Sequence, residues 1–174
     1  MIAVSLGIFL ADQLTKVLVM SNMALGESRP VLGEAVRLTY IMNPHGLMGL
    51  SFGTAGRYLM LPLSLAAVAA IIYFYTRWQR QGPLSAATLG MLLAGAAGNM
   101  LDRVRLGAVV DFIDCDIPDI RIPAFDLGPV HYPGLLLDRW YTFNLADSSV
   151  LIGVVVLFIL TLHGERPIKT EEAG

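Results

Sequence analysis

The chain has 174 residues, enough for one domain, and 55% of them are hydrophobic against 15% charged. A mean hydropathy of +0.63 lies outside the soluble range, where about 25% of residues are charged. The net charge of −2 argues against nucleic acid as the main partner. The single cysteine, Cys115, excludes an intramolecular disulfide and every multi-cysteine metal motif.

Four segments have the roughly 20 apolar residues that a bilayer crossing requires. The first, residues 1–20, carries Asp12, Gln13 and Lys16. It has no basic start and holds charge where a signal peptide would be purely apolar, so we read it as a retained span. Asp12 and Lys16 are spaced i, i+4 with the acid first, the favourable order for a helical ion pair. Either they neutralise each other near a helix end, or they face the bundle interior and support a site formed by other spans. A charge at a span's centre costs about 2.5–3.5 kcal/mol on insertion scales, so the pair needs a partner or a purpose.

Residues 21–57 form a first outer segment. Val36, Leu38 and Tyr40 alternate with Arg37, Thr39 and Ile41, between breaks at Gly26, Pro30 and Gly33, which predicts a small sheet. The second span, 58–76, has no charge. RWQRQGP follows, with Arg77 and Arg80 and no acid, and this basic loop belongs on the cytoplasmic side. The third span, 84–101, is rich in Ala and Gly, suited to close helix packing. At its outer end Asn99, Asp102 and Arg103 share a face at i, i+3, i+4, where the two charges could simply mark the helix meeting water. A buried amide such as Asn99 needs hydrogen-bond partners.

The second outer segment, 103–144, contains Pro118, Pro123, Pro129 and Pro133 with Gly128 and Gly134, and reads as an irregular loop after a turn at Gly107. Asp111 stands in VVDF among apolar neighbours, which is unusual for a solvated loop acid. Asp114 and Asp116 read as solvated acids. DCDIPD lacks the central glycine and distal glutamate of a calcium loop. The fourth span, 145–162, starts with Asn144, Asp147 and Ser148 at i, i+3, i+4. A cap at Asn144 and an acid in the first turn account for that triplet as a helix N-terminus. The fold expected is an all-α membrane protein: one domain over 1–162 with four transmembrane helices, a small extracytoplasmic sheet and an irregular outer loop. A polar tail, 163–174, lies on the cytoplasmic side, as does the N-terminus.

Asp111 and Asp147 come from distant positions, each in an apolar setting at the same membrane face. Two such carboxylates brought together cannot both ionise easily, so they share a proton. One then serves as base toward water while the other polarises a carbonyl.

Three motifs carry a resemblance over nearly the whole chain: DQLTK at 12–16, GNMLDRVRLGAVVDF at 98–112 and FNLADSS at 143–149. They resemble the lipoprotein signal peptidases, the signal peptidase II family of bacterial inner membranes. The resemblance implies an intramembrane aspartic endopeptidase that cuts a prolipoprotein just before its diacylglyceryl-modified cysteine. It implies Asp111 and Asp147 as the catalytic dyad, and Asn99, Arg103 and Asn144 as groups orienting substrate and dyad. Asp12 and Lys16 would shape the pocket from the first span, and Asp102, at the end of the third, reads as structural. MNPHGLMGLSF (42–52) keeps Asn43, Gly46 and Phe52 of a family segment but differs around them. The implied enzyme uses no metal and no cofactor. It works as a monomer on a diacylglyceryl-prolipoprotein, in contact with membrane lipid, and leaves Cys115 incidental.

Three other readings compete. A transporter or channel could use Asp12, Lys16 and Asp111 as an ion path. A Ser–Lys peptidase could pair Lys16 with Ser148 or Ser51. A non-enzymatic scaffold would need none of these groups.

Overall fold

The computed structural model describes residues 1–44, 53–77, 82–127, 130–132 and 134–163. In chain order they form α1 (Ile2–Asn22), β1 (Ser28–Leu32), β2 (Val36–Asn43), α2 (Gly53–Arg77) and α3 (Pro83–Leu106). Then come β3 (Val109–Ile122), β4 (Phe125–Leu127), β5 (Val130–Tyr132), β6 (Leu135–Arg139) and α4 (Leu145–Leu162). All four helices are long and apolar enough to cross a membrane. Their large side chains, such as Leu6, Leu10, Leu63, Phe74, Leu151 and Phe158, are exposed, as expected where lipid is the solvent.

Helix α3 is central. Half of its apolar stretch is buried inside the protein, against none of α2's, and it touches the other three helices. Small residues permit this closeness. A Cβ on Gly95 would collide with the Ala146 carbonyl, Val150 and Ser149 of α4, and one on Gly98 would lie 2.6 Å from the Asp12 carboxylate of α1. In the absence of a hydrophobic drive between helices in lipid, such close approach supplies the packing energy. Ser149 adds a polar contact: its hydroxyl bonds the Ala146 carbonyl one turn back in α4 (2.8 Å) and shares that proton with the Met91 carbonyl across the α3–α4 seam (3.2 Å).

Helix α3 ends at Gly107, whose φ of 73° is left-handed and whose N–H returns to the Arg103 carbonyl, a turn that glycine makes without strain. The predicted span stopped five residues earlier. Asp102 and Arg103 are therefore helical, and Asp102, only 2% exposed, does not mark the water boundary.

Beyond the helices lies an antiparallel sheet in the order β1-β2-β3-β6, with β4 and β5 as a separate hairpin. The alternation read in residues 36–41 is real: Leu38, Tyr40 and Met42 pack on a core of Val19 and Met23 from α1 and Val110 and Phe112 from β3. The expected irregular outer loop, and with it the all-α description, is corrected. Residues 109–122 form one long strand and 125–139 supply three more. Pro118 is accommodated because the β3–β6 register shifts between Asp116 and Ile120, the kind of irregularity where a strand tolerates a residue without an N–H.

Asp114 also departs from expectation. It is 8% exposed, accepts from Thr39 Oγ1 (2.8 Å) and pairs with Arg139 Nε (2.7 Å), so it ties β2, β3 and β6 together. Asp116 reaches the same arginine at 3.7 Å but stays largely exposed.

Candidate active site

Lys16 is the natural starting point, since a buried ammonium must satisfy three N–H donors. It is 1% exposed and contacts Asp12 Oδ2 at 2.9 Å, Asp102 Oδ2 at 2.8 Å and Asn99 Oδ1 at 3.0 Å. All three donors are thereby used. Of the two sequence readings, the pair faces the bundle interior and is not a self-neutralised couple at a helix end. Each acid also reaches a further element: Asp12 accepts from the Ala146 N–H at the start of α4 (2.9 Å), and Asp102 from the Val110 N–H at the start of β3 (3.3 Å). Gln13, which the sequence reading left without a role, bridges Asp12 and Asp102 (3.1 and 3.3 Å). The cluster so joins α1, α3, α4 and β3.

The orientation of Asn99 follows from Lys16. An ammonium only donates, so the amide oxygen must face it and the NH2 must face away. That NH2 donates to Asp147 Oδ1 (2.8 Å). Asn144 is fixed in the same manner. It caps α4 in a reciprocal box, its Oδ1 accepting from the Asp147 N–H (2.9 Å) while Asp147 Oδ2 accepts from the Asn144 N–H (3.2 Å). With the oxygen committed to a backbone donor, the Asn144 NH2 points the other way, onto Asp111 Oδ1 (2.7 Å), with Asn99 Oδ1 and the Val110 carbonyl also within reach. Asn43 on β2 donates to Asp111 Oδ2 (2.9 Å). Every carboxylate oxygen of Asp111 and Asp147 thus receives an N–H, and one residue, Asn144, touches both acids.

Asp111 is 2% exposed. Burial pushes its carboxyl up to about 7, and the charge of Asp147 adds to the rise. The amides of Asn43 and Asn144 and the charge on Lys16 pull the other way. Asp147 and Arg103 are only partly buried, so the cluster is sealed on the α1 side and opens beside them. Arg103 Nη1 donates to the Asn99 carbonyl and to Ser64 Oγ of α2, both at 3.3 Å, and its charge is felt by Asp147, Asp111 and Asp102. A buried carboxyl able to hold a proton near neutrality, a second carboxylate and an adjacent guanidinium can together move protons and hold a polarised carbonyl.

Nine of the ten residues singled out in the sequence meet here: Asp12, Lys16, Asn43, Asn99, Asp102, Arg103, Asp111, Asn144 and Asp147. Gly46 lies outside the described residues, as do Ser51 and Phe52. The reading missed Gln13, although it stands inside the DQLTK motif, and Ser64. A lone hydroxyl in a charge-free span carries no sequence signal.

A family model described as Signal peptidase (SPase) II matches residues 4–163. A solved structure of a bacterial membrane enzyme aligns with a TM-score of 0.76 at 27% identity, covering 99% of this chain and 93% of that one. The chain belongs to the signal peptidase II family, and so to the peptidases. Its relatives are lipoprotein signal peptidases. That of Desulfitobacterium hafniense (strain DSM 10664 / DCB-2) is 34% identical over 99% of both chains. That of Bacillus velezensis is 36% identical over 90% of this chain and 89% of its own, and that of Bacillus subtilis (strain 168) 32% over 97% of each.

Proposed function

We propose that the protein is an aspartic endopeptidase that removes the signal peptide from diacylglyceryl-modified prolipoproteins, cutting just before the lipid-bearing cysteine. The observation that carries this reading is the placement of Asn144, whose backbone and side chain hold Asp147 and Asp111 at once. In the reaction, Asp147 as carboxylate takes a proton from water while protonated Asp111 donates a hydrogen bond to the scissile carbonyl. The water oxygen adds to the carbonyl carbon. The tetrahedral intermediate then collapses as the C–N bond breaks, and the proton held by Asp147 passes to the departing amine of the cysteine. Arg103 and Asn99 orient the substrate backbone and Asp147 respectively.

Lys16 is committed to three acceptors, and Ser148 Oγ donates to the Asn144 carbonyl (3.0 Å), so neither is placed for serine–lysine chemistry. An ion path is disfavoured because the charged residues of the spans cluster at the sheet end of the bundle.

The same reading places the protein in the bacterial inner membrane. The loop containing Arg77 and Arg80, with both termini, lies in the cytoplasm, and the sheet and site lie at the outer face. A single chain supplies every group named, so the working unit is a monomer. The test is cleavage of a lipidated lipobox peptide by purified protein. Asp111→Asn and Asp147→Asn should each lose about 100-fold or more in rate; persistence of cleavage in either variant removes the dyad.

A further inference from the structure

Helix α2 carries no charged residue between Tyr58 and Thr76, packs on α3 and stands off α4 across an apolar groove of about 380 Å³. That groove is lined by Ala67, Ile71 and Phe74 of α2 and Leu157 and Thr161 of α4. Ser64, Ala67, Ile71 and Phe74 follow one another at three- and four-residue steps, so they form one stripe of the helix, with Ser64 meeting α3 and the other three facing the groove. At the site end of this otherwise apolar stripe is a hydroxyl. Ser64 Oγ spends its only proton on the Met60 carbonyl (2.8 Å), which leaves its lone pairs to accept, and Arg103 Nη1 meets them at 3.3 Å.

The same nitrogen donates to the Asn99 carbonyl at 3.3 Å. Both hydrogens of Nη1 are then committed, one to the backbone of α3 and one across to α2. Because a guanidinium is planar, fixing these two directions fixes the plane and the aim of its three other N–H donors. Among the described residues those three take no hydrogen-bond partner, and they lie within the electrostatic reach of Asp111 and Asp147.

We propose that Ser64 is a positioning residue: its hydroxyl aims Arg103 at the substrate backbone and makes α2 part of the site. This rests on the peptidase reading above. With the hydroxyl gone, Arg103 keeps its charge but regains rotation about its terminal bonds, and part of the binding energy goes into ordering it.

The experiment compares Ser64→Thr with Ser64→Val, two side chains of nearly equal shape that differ in the hydroxyl, on a lipidated lipobox peptide. Ser64→Val should lose about 3- to 10-fold in kcat/KM, as expected for one long hydrogen bond to a charged group. Ser64→Thr should stay within about twofold of wild type, and both should melt at the wild-type temperature. Full activity in Ser64→Val, or an equal loss in Ser64→Thr, overturns the assignment. Asp111→Asn is run alongside: if it is inactive while Ser64→Val is unimpaired, Ser64 alone falls. If Asp111→Asn still cleaves, the peptidase mechanism falls and takes this inference with it.

Discussion

Replacing Asp111 by Asn should abolish cleavage and at the same time stabilise the fold at alkaline pH. The carboxyl is raised from 3.8 to about 7 in the native protein, so ionising it there costs the fold about 4 kcal/mol at pH 8. The sign follows from proton counting. Between about pH 4 and pH 7 the native state keeps a proton that the unfolded chain has released, and native stability falls as pH rises through that window. Asparagine has no such cost, but its amide replaces one of two acceptor oxygens with a donor. Asn144 is pinned by the Asp147 N–H, so the new Oδ1 must face Asn144 and Asn43 must turn its own carbonyl toward the new NH2. That rearrangement costs about 1 kcal/mol, leaving a net gain of about 2–3 kcal/mol at pH 8. For a chain of this size the gain corresponds to about 5–10 °C in midpoint. At pH 5 the ionisation penalty shrinks to about 2 kcal/mol, and most of the difference disappears. Thermal unfolding of both proteins in detergent at pH 5 and pH 8 measures this. Parallel pH responses, or a mutant that melts below wild type at pH 8, would refute the account of Asp111.

Activity against pH should be bell-shaped. The descending limb falls near pH 7, where the pair loses its shared proton, and the acid limb falls where the second carboxylate is neutralised. A flat rate from acid to alkaline pH would contradict it. Gly95→Ala drives a methyl into the Ala146 carbonyl and should cost about 2 kcal/mol or more in detergent unfolding, while Gly7→Ala, with open space around it, should cost nothing measurable. Asn144→Ser keeps a good helix cap but has no NH2 to offer Asp111. It should melt within about 1 kcal/mol of wild type while losing about 10-fold or more in kcat; equal losses in stability and rate would show that the residue is only a cap.

The spans were legible because lipid imposes long apolar runs, and the fourth was read with the boundaries it has, Leu145–Leu162. The third was cut short because Asp102 and Arg103 look like water-facing charges unless their partners are known. The partner of Asp102, Lys16, lies on another helix. Asp114 was misread for the same reason: what buries it is Arg139, a strand away. Strand β3 was hidden by Pro118, although Val109–Val110 and Ile113–Asp114–Cys115–Asp116–Ile117 have the residue types and alternation of a strand. A proline demotes a run only where its N–H would be needed, and the register shift beside β6 removes that need. Sequence pattern reports on local backbone and on which face is apolar. It does not report which charges meet, and in this protein the charges that meet belong to helices and strands brought together by the fold.

The triplet Asn144, Asp147 and Ser148 shows how a local rule and a distant one become the same fact. Helix capping explains the triplet by itself, and the cap is present in full. Yet the cap is what commits the Asn144 oxygen to the Asp147 N–H. An amide has one oxygen and one NH2 in a plane, so that commitment turns the donor end toward Asp111 with no further instruction. Asn99 receives its orientation in the same manner from the Lys16 ammonium and passes it to Asp147. In both cases a group that can only donate, a backbone N–H or a buried ammonium, fixes an amide, and the amide fixes a carboxylate. Capping and assembling the pair of acids are therefore not alternatives for Asn144. The α4 cap sets one end of the bridge, and the packing of α1, α3 and β3 around Lys16 brings the other acid to meet it.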